Sequence, residues 1–333
     1  MPAALLYLCK YKGENIMDNE AVQMTLDLDD KVHKEIFQIP RFDFGNLFVD
    51  IKEIKQMHNS NSMAILGDSI EVLRHIKSNT VNLIFADAPY NIGKNFGNNK
   101  DKWKTVQEYI SWCKCWIDEC MRVLSDNGTM YFMTATQHMP YLDVYASENY
   151  NVLCRIVWSY DSSGVQSKKM FGSLYEPVLM VNKDVKSKYT FNHQEILVEA
   201  KTGAQRKLID YRKNPPQPYN TQKVPGNVWE FSRVRFKMNE YENHPTQKPE
   251  ALLERIIKAS SNAGDIILDP FSGSFTTSAV AVRLGRIGIG IDINEEYFEM
   301  GLRRTNIATE YNGKQLVKEK KRKTNAKSKY VRG

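Results

Sequence analysis

The sequence predicts an α/β protein with a mostly parallel, doubly wound sheet, interrupted by one long insert. Three observations predict it. Short apolar runs alternate with segments of helical period before residue 184 and again after residue 247. Three of those runs end in an aspartate followed by a turn, at Asp87, Asp269 and Asp292. Between the two alternating regions lies a polar, proline-containing stretch without that rhythm.

The alternation starts at Ser62. Met63-Ala64-Ile65-Leu66 reads as a strand ending at Gly67-Asp68, and Ser69 is expected to cap a helix with Ile70, Val72, Leu73 and Ile76 on one side. Residues 81–86 form a buried strand that runs into Asp87-Ala88-Pro89-Tyr90. A helix over 105–124 and a turn at Asp126-Asn127-Gly128 lead to a strand at 129–133, and strands follow at 152–160 and 176–182. Residues 184–243, rich in Asn, Gln, Pro, Tyr, Lys and Arg, read as an insert centred on Asn214-Pro215-Pro216-Gln217-Pro218-Tyr219. An amphipathic helix over Leu252, Leu253, Ile256 and Ile257 resumes the core. A strand at 266–269, a helix at 276–284, a strand at 287–292 and a helix at 295–304 complete it. The expected organisation is an extension over 1–60 packed against the core, core halves at 61–183 and 244–312, the insert at 184–243 and a tail at 313–333.

Composition narrows the function classes. At 333 residues, 42% hydrophobic and 26% charged, the chain has the make-up of an ordinary soluble globular protein, and no apolar run is long enough to span a bilayer. The first nine residues lack the basic start and apolar length of a signal peptide. Cys9, Cys113, Cys115, Cys120 and Cys154 show neither a disulfide framework nor metal-site spacing, so reduced cysteines, a cytoplasmic location and no metal are expected. The net charge of +7 is unevenly placed. Residues 314–333 carry +8 and residues 201–237 carry +7, leaving the remainder at −8. Positive charge gathered into two segments of an otherwise acidic chain is the footprint of a polyanionic partner.

Two motifs carry the chemistry. Asp269-Pro270-Phe271-Ser272-Gly273-Ser274-Phe275-Thr276-Thr277 joins a strand to a helix through small residues, which lets backbone approach a ligand outside the carboxyl end of a sheet. Asp292 follows Asp269 by 23 residues, close to the ~20-residue offset at which an acid meets ribose hydroxyls. The full glycine pattern of a dinucleotide loop and the GK[ST] of a P-loop are both missing, so an adenosyl ligand without phosphates fits better than a dinucleotide. In Asp87-Ala88-Pro89-Tyr90 an acid, a rigid turn that presents carbonyls and an aromatic ring follow a central strand. That set suits an exocyclic amine on a flat heterocycle: acceptors for its N–H groups and a ring to stack on.

These two motifs, with His244-Pro245-Thr246-Gln247-Lys248-Pro249, resemble motifs IV, I and X of the amino-methylating DNA methyltransferases. They stand in the permuted β-class order, in which the catalytic motif and target-recognition region precede the cofactor motif. Stretches 87–94, 155–166, 201–229 and 240–250 resemble more narrowly the solitary YhdJ-type adenine-N6 enzymes, and the likeness spans about 62–324. The resemblance implies a Rossmann-like, S-adenosylmethionine-dependent methyltransferase sheet carrying a target-recognition insert. It implies a bacterial, site-specific, adenine-N6 DNA methyltransferase with S-adenosyl-L-methionine as cofactor and double-stranded DNA as partner. Such an enzyme works at the nucleoid without a membrane, an ATGCAT-like palindrome is the expected site, and homodimers are common in the class.

Carried over by residue, the resemblance makes Asp87, Pro89 and Tyr90 catalytic. Asp269, Phe271, Gly273 and Ser274 would line the cofactor, Asp292 would bind its ribose, Asp68 would reach its adenine, and Thr246 and Lys248 would shape its methionine end. For Asp68 and Thr246 the competing role is a helix cap. Arg206, Lys207, Arg212, Lys213, Arg233 and Arg235 are the expected DNA contacts, and the tail would add salt-sensitive affinity. The sequence departs from the family at Ala88, where proline is usual, and at Phe275, where glycine is common. Neither departure removes an obligatory functional group, so activity is expected, with Phe275 altering how the loop meets the methionine moiety. Competing readings are an N4-cytosine enzyme, an RNA or protein-glutamine methyltransferase, and an inactive DNA-binding regulator with the same fold.

Overall fold

Among the described residues of the computed structural model (42–96, 99–162, 168–201 and 206–307), nine strands form one mixed sheet. They are β1 (Lys55–His58), β2 (Ser62–Leu66), β3 (Val81–Asp87), β4 (Leu124–Met133), β5 (Asn151–Ser159), β6 (Tyr175–Asn182), β7 (Val228–Glu230), β8 (Ile266–Asp269) and β9 (Ile287–Asp292). Their order across the sheet is β1-β2-β9-β8-β3-β4-β6-β5-β7. The centre, from β2 through β9, β8 and β3 to β4, is parallel. β1 and β6 are antiparallel to their neighbours, and β7 runs parallel to β5.

Helices α1 (Ser69–His75), α2 (Val106–Val123), α3 (Met139–Asn149), α4 (Glu250–Ser260), α5 (Thr276–Arg283) and α6 (Glu295–Arg304) cover the sheet. Alternation along β3 shows how both faces are buried. Ile84 and Ala86 pack with Val72 and Leu73 of α1 and with Cys113, Trp116 and Ile117 of α2. Leu83 and Phe85 pack on the other side with Leu252, Leu253, Ile256 and Ile257 of α4 and Val280 of α5. A strand buried on both faces reads as a continuous apolar run, which is why 81–86 was recognisable. The four α4 side chains are fully buried, each contributing roughly 2 kcal/mol of transfer free energy.

Chain direction then creates the crevice. From β3 the chain passes through α2 to β4 on one side, whereas from β8 it passes through α5 to β9 on the other. β3 and β8 are neighbours, so the loops leaving their carboxyl ends diverge. Ligands of open α/β sheets bind at such a switch point. Four adjacent parallel strands, β2, β9, β8 and β3, end at or beside an aspartate: Asp68, Asp292, Asp269 and Asp87.

Several expectations change in detail. Asp68, not Ser69, caps α1: its Oδ1 accepts from the N–H groups of Ile70 (3.0 Å) and Glu71 (3.1 Å), while the Ser69 hydroxyl donates to the Pro270 carbonyl. Asp126-Asn127-Gly128 lies inside β4 rather than before it, where the pairing with β3 shifts register. The segment assigned to the extension supplies β1, and Phe44, Leu47 and Phe48 are buried in the main core. The segment assigned to the insert supplies β7, whose Trp229 joins the α4-side core. Residues 1–41 of the extension and the basic tail at 313–333 lie outside the described residues. Among the described residues no helix is long and apolar enough to cross a membrane, and Cys113, Cys115, Cys120 and Cys154 are free thiols.

Candidate active site

A cavity of about 320 Å³ opens at the switch point. Asp68, Asp87, Thr246, Lys248, Asp269, Phe271, Gly273, Ser274 and Asp292 all reach its wall, so one space collects residues predicted from three separate motifs. Its volume falls in the range of small-molecule sites, about 300–1,000 Å³. Asp101 adds a fifth carboxylate to the wall, against Lys94 and Lys248. A phosphate-bearing dinucleotide would meet that acidic lining unfavourably, whereas a cationic sulfonium suits it.

The loop after β8 is held by its own acid. Asp269 is buried and accepts from the Phe271 N–H (3.0 Å) and the Thr277 hydroxyl (2.5 Å). Gly273 has φ +48° and donates its N–H to Asp292 Oδ2 at 2.8 Å. A Cβ there would come within 2.7 Å of His244 Nε2, so the loop and the 244–249 segment close on each other only because residue 273 is glycine. His244 packs in turn between Phe96 (5.9 Å) and Tyr297 (4.6 Å), and burial lowers its pKa to about 3, leaving a neutral ring. Phe271 stands against Trp112 and Trp116 on α2, giving the cavity an aromatic side.

Phe275 takes a different place from the one expected. Its backbone is left-handed (φ 55°), the conformation that makes glycine common there, but its ring turns away from the cavity. The ring is fully buried with Phe298, Leu302 and Ile307, over Gly290 and Gly301. Phe275 is thus absent from a cavity wall that Phe271, Gly273 and Ser274 of the same loop reach.

The catalytic turn forms a charged cluster. Tyr90 Oη lies 2.7 Å from Asp87 Oδ1 and 2.9 Å from Glu176 Oε2. Lys248 Nζ donates to Asp87 Oδ2 at 2.6 Å and sits 3.6 Å from Glu176. Burial works against the lysine's charge, but the two carboxylates outweigh it and raise its pKa. Burial, reinforced by both carboxylates, raises the Tyr90 pKa well above that of an ordinary phenol, so the hydroxyl keeps its hydrogen. The Pro89 carbonyl accepts from the Tyr109 hydroxyl at 2.9 Å. Asp101 pins the following loop by accepting from the N–H groups of Asn91 and Ile92.

Sequence reasoning missed Glu176, Asp101 and Tyr109. Glu176 had a signal, a carboxylate opening the apolar run Pro177-Val178-Leu179-Met180, since buried acids in strands are rare unless paired. Of the six expected DNA contacts, Arg233 lines a second cavity of about 230 Å³ with Tyr160, Trp158 and Glu176. Arg235 donates to the Asp161 carbonyl beside it. Arg206, Lys207, Arg212 and Lys213 belong instead to an exposed segment around the two-residue pairing of Ile209–Asp210 with Gln217–Pro218, where Arg212 pairs with Asp210.

Residues 81–303, which include every part of this site except Asp68 and Ser69, match the family described as DNA methylase, N6/N4 type. The chain belongs to that family. It is 60% identical over 274 residues to "DNA adenine methyltransferase YhdJ" of Escherichia coli K12, covering 82% of this chain and 92% of that protein. It is 38% identical to "Type II methyltransferase M.HpaI" of Haemophilus parainfluenzae, covering 77% of each. The fold also matches the solved PvuII cytosine-N4 DNA methyltransferase at a TM-score of 0.57, with 17% identity over 74% of this chain and 86% of that one. The methylase is thus a DNA methyltransferase that uses S-adenosyl-L-methionine, and the acidic, aromatic-walled cavity is compatible with that cofactor.

Cofactor binding should depend on pH. Burial raises Asp269 to about 7 and Asp292 to about 6, above the usual carboxylate value. With the cofactor placed at Asp269 and Asp292 as the sequence resemblance implies, its ribose hydroxyls and sulfonium would favour the ionised acids, so binding would release protons and affinity would fall as pH drops through 7 to 6. Without ligand the sign reverses. The folded state binds more protons than the unfolded chain, so these groups remove stability as pH rises from about 4 to 7. Calorimetry of cofactor binding from pH 8 to 5.5, in buffers of differing ionisation enthalpy, checks this; a flat affinity would refute it.

Proposed function

We propose that the chain transfers the methyl group of S-adenosyl-L-methionine to N6 of an adenine flipped out of double-stranded DNA, within an ATGCAT-like site. The observation that carries this reading is the meeting of two cavities at Tyr90 and Lys248. One is the acidic space at the switch point, and the other is lined by Trp158, Tyr160 and Arg233. The first suits the cofactor and the second an extruded base, so the amine would reach the methyl group beside Asp87. The choice of adenine is supported by the identity to a protein named a DNA adenine methyltransferase.

The cofactor supplies an activated methyl on a sulfonium. In this reading Asp292 holds its ribose, Asp68 approaches its adenine, and the 269–274 loop with Thr246 encloses the rest. Asp87 accepts a hydrogen bond from the attacking amine and stabilises its developing positive charge. The carbonyl of Ala88 or Pro89 is the second acceptor, and the Pro89 carbonyl also accepts from Tyr109, which steadies the turn. Lys248 lies over one face of the Tyr90 ring at 5.4 Å, and in this reading the base stacks on the other face. Stacking there offsets part of the few kcal/mol that extrusion costs. Arg233, Arg235 and the exposed Arg206–Arg212 region hold phosphates and read the groove within residues 184–243.

The test is methyl transfer from labelled cofactor to unmethylated bacterial DNA, followed by nucleoside analysis and mapping of modified sites. Label in N6-methyladenine is expected. Label in N4-methylcytosine would overturn the base assignment, and bound cofactor without transfer would favour an inactive DNA-binding regulator.

A further inference from the structure

Methylating an exocyclic amine leaves a proton to dispose of, and nothing assigned so far carries it away. Glu176 is unused by the reading above, yet its side chain is 15% exposed and faces both Tyr90 and Lys248. We propose that Asp87, Tyr90 and Glu176 form a proton relay that takes the proton from the methylated amine and delivers it to the second cavity. The inference rests on the amine-methylation reading and holds for either base.

Hydrogen counting supports it. Asp87 Oδ1, Tyr90 Oη and Glu176 Oε2 stand in a row, 2.7 and 2.9 Å apart. The phenol has one hydrogen and two carboxylate neighbours, so the row has room for one more proton. Charge agrees. The Lys248 ammonium neutralises one of the two carboxylates, and a single incoming proton neutralises the other.

The step balances. Attack gives the nitrogen a fourth bond and a positive charge, and the electron pair of the broken carbon–sulfur bond stays on the departing thioether. The nitrogen then passes a proton to Asp87. Asp87 hands it to Tyr90 Oη as the hydroxyl gives its own hydrogen to Glu176. Asp87 and Tyr90 return to their starting states, and Glu176 releases the proton to water. Glu176 lines the second cavity with Lys94, Arg233 and Tyr160, whereas Asp87 lines the first.

Glu176 acts through Tyr90, so its test must separate proton transfer from packing. Glu176→Gln keeps shape and removes basicity. It should bind cofactor as the wild type does and slow single-turnover methylation about a hundredfold, within the range of general acid–base catalysis. Glu176→Ala should be rescued by acetate, less by the weaker base formate, and not by acetamide. With fluorotyrosine at position 90, fluorine NMR of the free enzyme reads the coupling without turnover, and Glu176→Gln should move its acid titration. A wild-type rate in Glu176→Gln, equal rescue by acetamide, or an unchanged titration would overturn the relay. Nucleosides from the wild-type reaction judge the choice of adenine separately.

Discussion

Replacing Asp87 by alanine should cut methyl transfer by about three orders of magnitude, at the upper end of what one positioned acid–base or charge-stabilising group supplies. Three losses coincide. The attacking amine loses its carboxylate acceptor, Tyr90 loses one of the two partners that hold its ring in place, and Lys248 loses its shortest contact, keeping Glu176 at 3.6 Å and the Thr246 carbonyl at 3.4 Å. Asp87→Asn separates them. It retains an oxygen for Lys248 or Tyr90 but no negative charge, so it should be nearly as inactive yet more stable than the alanine variant. Breaking a buried ion pair from one side costs about 3–5 kcal/mol when no partner remains, and Glu176 reduces that here. Single-turnover rates beside thermal melts decide the matter. Transfer by Asp87→Ala within tenfold of the wild type would remove Asp87 from the mechanism.

The largest effect on stability is expected at Phe275, which makes no contribution to the cavity wall. Phe275→Ala deletes a fully buried ring while keeping a side chain on left-handed backbone, and should cost about 3–5 kcal/mol. Phe275→Gly leaves the same void but relieves the backbone, and should recover about 1 kcal/mol of that loss. Urea denaturation of the pair gives both numbers, and glycine proving worse than alanine would contradict the left-handed assignment. Coupling with Gly301 is a sharper check. A methyl there would sit 2.6 Å from the Phe275 ring, so Gly301→Ala should be far less damaging once Phe275 is already alanine.

The parallel centre of the sheet was legible because each of its strands is short, apolar and closed by an aspartate or a turn. The same aspartates announced the cavity, since a strand that stops at an acid outside a sheet's carboxyl edge is placed by topology alone. The rest lacked a local signal. Lys55-Gln56-Met57-His58 has no apolar alternation and becomes β1 only because β2 offers an edge. Val228-Trp229-Glu230 is too short to be read as a strand in a polar segment, and its pairing partner lies some 70 residues earlier. Glu176 acquires meaning from Tyr90, 86 residues away, and from Lys248 on the far side of the insert. Phe275 showed as a departure from a glycine position, but only packing against Gly290 and Gly301 reveals where the ring goes.

The strand order also dictates how the molecule must be assembled as it leaves the ribosome. β2 and β3 emerge early, but the two places between them belong to β9 and β8, which are made some 180 residues later. Until then the nascent chain carries two long-range edges that must neither close on each other nor accept a foreign strand. Pairings of such sequence separation form slowly and leave unfinished sheet exposed. The cofactor crevice, bounded by β3 on one side and β8 on the other, is therefore among the last parts of the protein to exist.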